Sequence, residues 1–108
     1  MKVVINADYG GFSLSDEAIE LYAKYKGINF TKEETSHGSI YYKGDEWFND
    51  RDINRSDTQL VRVVQELGEK ANGFCAKLKI VNIPVDVQWE VVEYDGLEHI
   101  AEKARKWY

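Results

Sequence analysis

The chain predicts an α+β fold in which three helices cover a small mixed or antiparallel sheet, in the order β-α-β-α-β-β-α. Three observations predict it. Two stretches with apolar residues at helical spacing each follow a capping residue and end at a glycine. Short apolar or alternating runs separate them, at 2–6, 39–43, 76–83 and 87–93. A third helical pattern begins at Leu97. The 108 residues suit a single domain, 1–108, with 44% hydrophobic residues for its core. Disorder does not fit that composition.

Each element has a local reason. Val3-Val4-Ile5 reads as a short buried strand. Ser15 is a good N-cap: Asp16 and Glu17 fill the first turn, while Leu14 and Ile19 are spaced as a hydrophobic staple. That helix runs to about Lys26, where Gly27 supplies a left-handed stop. The polar stretch 31–38 reads as a loop, and 39–43 as a strand. The stretch 44–55 is rich in Asp and Asn, with Trp47, Phe48 and Ile53 as anchors.

Ser56 with Gln59 matches a capping box, and Leu60, Val63, Val64, Leu67 and Ala71 follow at helical spacing up to Asn72-Gly73. The runs 76–83 and 87–93 are close enough to form a hairpin across Pro84. Tyr94-Asp95-Gly96 is a turn, and Leu97, Ile100, Ala101 and Ala104 are the inner face of the last helix.

Composition narrows the function. A net charge of −5 disfavours a duplex nucleic-acid binder, which ordinarily shows a basic face. No apolar run approaches the ~18–20 residues of a membrane span, and no secretory signal precedes the first strand. The expectation is an intracellular, soluble protein with no membrane partner. Cys75 is the one cysteine, so it makes neither an internal disulfide nor a multi-cysteine metal site. Its apolar neighbours suggest a half-buried strand thiol.

Three groups of residues are suited to an anionic ligand. The first is Tyr9-Gly10-Gly11-Phe12-Ser13, between a strand and a helix N-terminus. Its glycines permit close approach of a phosphate to main-chain N–H groups, Ser13 is a hydroxyl donor, and Tyr9 or Phe12 is a stacking surface for a base. It is neither a P-loop nor a dinucleotide fingerprint, lacking the lysine and the third glycine. The plainer reading is a tight turn with Phe12 in the core.

Arg51 and Arg55 form the second group, a candidate phosphate clamp; the competing reading pairs them with Asp50, Asp52 and Asp57. The third is Arg105 with Trp107, a cation beside an aromatic platform, or simply a basic helix end. Catalysis has thin support, since His37 and His99 stand at no recognised metal or triad spacing. No metal or cofactor is expected, and enzyme status is uncertain.

The run Tyr9-Gly10-Gly11-Phe12-Ser13-Leu14-Ser15, then Arg51-Asp52-Ile53 with Arg55 and Asp57, and later Glu93-Tyr94-Asp95-Gly96, resemble a group of small bacteriophage proteins of mostly unassigned role. The resemblance extends over most of the chain, through Leu60-Val61, Glu66-Leu67-Gly68 and Leu78-Lys79-Ile80-Val81. It implies a phage counter-defence factor in the host bacterial cytoplasm. In scale and character the chain is similar to oligomeric sponges that sequester nucleotide immune signals. The expected ligand is then a small nucleotide-like anion, of cyclic nucleotide or cyclic ADP-ribose type, held without turnover by a homo-oligomer. Two alternatives stand beside it: an acidic inhibitor of a host nucleic-acid-binding protein, and a small phosphodiesterase.

Overall fold

Val3, Val4 and Ile5 make β1 (Lys2–Asn6) a buried strand with partners on both of its edges. The computed structural model describes residues 1–103. On one edge β1 pairs antiparallel with β5 (Leu78–Asn82), Val4 opposite Ile80. On the other edge the Val4 N–H donates to the Arg55 carbonyl at 2.8 Å, and the Asn6 N–H donates to the Glu98 carboxylate at 2.9 Å. A third strand is therefore replaced by one carbonyl and one acidic side chain, which satisfy donors that burial would otherwise strand.

Helix α1 (Asp16–Lys26) starts and stops as its sequence predicts. The Ser15 hydroxyl accepts from the Ala18 N–H, and Gly27 closes the helix at φ 69°. Ala18, Ile19, Tyr22 and Ala23 form its buried face. Helix α2 (Thr58–Leu67) turns Leu60, Val61, Val63 and Val64 into the same core.

The cap of α2 differs from expectation. Asp57, not Ser56, is the N-cap, accepting from the Gln59 and Leu60 N–H groups, while Ser56 bonds to the Asn54 side chain. Gly68 ends α2 earlier than the pattern suggests, and a 3-10 turn, Gly68–Ala71, carries Ala71 into the core.

Asp57 does more than cap. It also accepts from the Tyr22 hydroxyl at 3.0 Å and pairs with Lys26 at 2.8 Å, tying α1 to α2. Burial works against its charge, but the bonds from Lys26, Gln59 and Tyr22 outweigh it and hold its pKa below the ordinary 3.8. A depressed folded pKa means stability that is present above 3.8 and lost as pH falls through the lower folded value. Asp57→Ala should cost about 2 kcal/mol at neutral pH. Urea denaturation as a function of pH should show that penalty shrinking in acid.

The expected three-helix cover is overturned. Among the described residues there are two α-helices and seven strands, divided into three small antiparallel sheets. The fold remains α+β. The stretch 31–38 is not a loop: β2 (Thr31–Thr35) pairs with β3 (Gly38–Lys43), and β3 pairs with β4 (Glu46–Trp47). Tyr41 and the half-buried Phe48 and Phe30 seat this meander on the core, whereas Trp47 is exposed rather than an anchor.

The expected last helix is also a strand. Asp95 and Gly96 have φ of 52° and 86°, the double positive of a type I′ two-residue hairpin turn. They fold β7 (Leu97–Glu102) back on β6 (Trp89–Tyr94), Tyr94 opposite Leu97. The anticipated hairpin across Pro84 does not form among the described residues: β5 pairs with β1, and β6 pairs with β7. No helix among the described residues is long and apolar enough to cross a membrane.

Candidate functional site

The segments 9–13, 51–55 and 93–96, far apart in the chain, meet at the Gly10-Gly11 bend. Gly10 and Gly11 take φ of 117° and 96°, a region that side chains disfavour. Both are also crowded. A Cβ on Gly10 would lie 2.7 Å from the Cys75 Cβ, and one on Gly96 would lie 2.2 Å from the Gly11 nitrogen. The bend is thus pressed between the loop preceding β5 and the β6–β7 turn.

Asn6 holds these pieces together from beneath. Fully buried, it donates to the Asp8 carbonyl at 2.7 Å and the Gly96 carbonyl at 2.8 Å, and accepts from the Lys77 N–H at 2.8 Å. Every hydrogen-bonding atom of its side chain is engaged, so the junction is both buried and satisfied.

Arg55 and Glu98 add a bidentate ion pair at 2.5 and 3.0 Å, with side chains only 13% and 7% exposed. The Arg55 guanidinium also lies 3.6 Å from the centre of the Phe12 ring, a cation–π contact strengthened by its exclusion from water.

These contacts correct several expected roles. The Gly10 N–H donates to the Asp95 carbonyl, and the Gly11 nitrogen is covered by Gly96, so the bend is not an open row of amide donors. Phe12 is buried with one face under Arg55, which removes it as a stacking surface. The Ser13 hydroxyl donates to the Phe74 carbonyl at 3.3 Å, which ties it to the loop before β5. Tyr9, by contrast, is exposed.

The two arginines do not form a clamp, and neither pairs with Asp50, Asp52 or Asp57 in a salt bridge. Arg55 is committed to Glu98, while Asp50 accepts from the Leu14 N–H. Arg51 behaves differently. Its Nε donates to the Phe12 carbonyl at 3.3 Å, and its terminal nitrogens bond to no other group among the described residues. One of them would sit 3.2 Å from a Cβ on Gly11, so the missing side chain there makes room for the guanidinium. Arg105 and Trp107 lie outside the described residues.

A cleft of about 200 Å³ opens here, lined by Gly11, Phe12, Arg51, Arg55, Glu93 and Glu98. With Arg55 and Glu98 neutralising each other, Arg51 and Glu93 set its character. Glu93 accepts from the Gly96 N–H at 2.9 Å, which leaves Arg51 as the cation able to take a new partner.

Sequence reasoning gives no role to Asn6 or Glu98, and Glu93 enters it only within the Glu93-Tyr94-Asp95-Gly96 motif. An amide ending an otherwise apolar strand was a signal for Asn6. Glu98 falls within the expected last helix, where nothing marks it as a partner of Arg55.

Cys75 is exposed in a loop at φ 63°, not half-buried in a strand. His37 lies in the β2–β3 turn and His99 in β7, and neither imidazole is hydrogen-bonded among the described residues. No cluster of His, Cys, Asp or Glu among those residues is arranged to hold a metal. Comparison of the chain with protein-family models, curated proteins and solved structures finds no match.

Proposed function

We propose that this protein is a phage counter-defence factor that binds and sequesters a small phosphorylated immune signal in the host cytoplasm without turning it over. The observation that supports it is the Arg51 guanidinium, fixed through Nε at a cleft where all three motif segments meet. A phosphate of the ligand bonds to the terminal nitrogens of Arg51, as guanidinium and phosphate geometry favours. The exposed ring of Tyr9 is the stacking surface left to the base, since Phe12 is sealed. The Gly10-Gly11 amides and Arg55 shape the cleft and do not contact the ligand.

Titration calorimetry against cyclic dinucleotides, cyclic trinucleotides and cyclic ADP-ribose isomers tests this reading. Saturable binding of one class is expected, with intact ligand recovered after heat denaturation. Arg51→Ala should weaken that binding ten- to a hundredfold, the range for losing a hydrogen bond to a charged group. Silence across the panel defeats the proposal, and a hydrolysed ligand replaces it with a phosphodiesterase.

A further inference from the structure

We infer that the cavity beside Trp47 is a second binding site, separate from the Arg51 cleft, and that its ligand is an uncharged saccharide. The cavity holds about 370 Å³, and Trp47, Asn49, Asp52 and Asn54 border it. That volume falls within the ~300–1,000 Å³ of ordinary small-ligand sites. It shares no lining residue with the Arg51 cleft, and the site stands independently of the nucleotide reading.

Trp47 is 65% exposed, although tryptophan is ordinarily among the most buried residue types. Its backbone is nevertheless fixed. Trp47 pairs with Tyr42 across β3 and β4, and the next N–H, of Phe48, donates to the Tyr41 carbonyl at 2.8 Å. The Phe48 ring packs against Phe30 with centroids 4.5 Å apart, so the residue beside Trp47 is anchored in the core. No aromatic ring or cation stacks on the indole among the described residues. A flat apolar surface held in water by a fixed backbone is a platform that a stacked ligand would cover favourably.

The polar groups beside it are oriented by the loop itself. The Asn49 Oδ1 accepts from the Arg51 N–H at 3.1 Å, and the Asn54 Oδ1 accepts from the Ser56 N–H at 3.0 Å and the Ser56 hydroxyl at 2.9 Å. A backbone N–H can only donate, so each amide must keep its oxygen on the backbone and leave its NH2 group available. Neither Nδ2 atom, nor the Asp52 carboxylate, has a hydrogen-bond or ion-pair partner among the described residues. Ile53, between Asp52 and Asn54, is buried and pins the segment. Asp52 and Asn54 are exposed and Asn49 is half-buried, which leaves these groups open to a ligand.

This set of groups selects the ligand class. A phosphorylated ligand would meet Asp52 and the exposed Asp45 and Glu46 that precede Trp47, all of its own charge. A cation would suit Asp52 and the indole, but it has no acceptor for the two NH2 groups. An uncharged ring bearing several hydroxyls answers every group: one hydroxyl donates to Asp52, others accept from Asn49 and Asn54, and a C–H face lies on the indole.

Nitrogen-15 NMR of the wild-type protein tests the site, with glucose, galactose, mannose, N-acetylglucosamine and their short oligomers as probes and uncharged nucleosides beside them. One sugar class should shift the Trp47 indole N–H and the Asn49 and Asn54 side-chain resonances saturably. Trp47→Ala should raise the dissociation constant of that sugar about tenfold or more. Asp52→Asn is an isosteric change at a carboxylate with no partner; it should keep the circular dichroism and weaken binding about tenfold. Should Trp47→Ala lose the fold, Asp52→Asn decides alone. Absence of any shift with every sugar overturns the inference, as does binding that survives either folded variant. Nucleosides that shift these resonances where sugars do not overturn it too. So does displacement of the sugar by a cyclic nucleotide, which would make the two sites one.

Discussion

Replacing Arg55 by alanine should lower the unfolding free energy by about 3–5 kcal/mol, the cost of leaving a buried carboxylate without its partner. Glu98 is 7% exposed and accepts from Arg55 and from the Asn6 N–H. Without the guanidinium, the carboxylate must either stay charged away from water or bind a proton and lose part of its acceptor capacity. The Phe12 ring also loses the cation that covers it. Glu98→Ala should be comparably damaging, because it strands both the Arg55 charge and a β1 donor.

A double variant separates the ion pair from the edge cap. Arg55→Met with Glu98→Gln removes both charges but keeps an acceptor for Asn6. It should recover most of the loss, since an isosteric apolar or neutral replacement of a buried pair is often nearly neutral. Urea denaturation reads each case, with an unchanged m-value expected if the fold is retained. A double variant as unstable as Arg55→Ala would mean the geometry of the pair, not its charge balance, holds the hairpin to β1.

Gly96→Ala should cost about 3–4 kcal/mol, through two effects that a control can divide. Its φ of 86° disfavours any L side chain by roughly 1–2 kcal/mol. The larger effect is steric: the new Cβ would meet the Gly11 and Gly10 nitrogens at 2.2 and 2.7 Å. These are backbone atoms, so the β6–β7 turn must lift off the bend, taking the Asn6–Gly96 bond with it. Gly27→Ala is the control, because φ there is 69° but nothing lies within 4 Å of the added methyl. It should cost about 1 kcal/mol. Equal losses at the two glycines would show that the turn is not tightly seated on the bend.

Local chemistry was the legible part of this chain. Ser15, Gly27 and the apolar spacing of α1 act within one helix, and each behaves as its residue type dictates. Pairing was harder to read. The spacing of Leu97, Ile100 and Ala101 fits a helix, yet the Asp95-Gly96 turn commits those residues to a hairpin with β6. An Asp-Gly pair is the signature of a two-residue hairpin turn, which favours a strand on each side over a following helix. Thr31–Thr35 carries no apolar alternation because that strand is exposed along its whole length; its pairing with β3 supplies what its own pattern lacks.

The site was half visible for the same reason. The segments 9–13, 51–55 and 93–96 are adjacent in the fold, but which of their donors stay available depends on partners distant in the chain. Nothing near Arg55 identifies Glu98, and nothing near Gly11 identifies Gly96. Two guanidinium groups of equal promise in the sequence become one structural and one available. Phe12 and Tyr9 divide similarly, one buried beneath Arg55 and one exposed.

The central claim is this division between Arg51 and Arg55, and side-chain NMR of the arginine Nε–H groups reads it directly. On titration with the cyclic dinucleotides, cyclic trinucleotides and cyclic ADP-ribose isomers, one ligand class should shift the Arg51 resonance saturably. The Arg55 resonance should stay in place, locked to Glu98. Arg51 unmoved by every nucleotide, or Arg55 moving in its stead, would contradict the account.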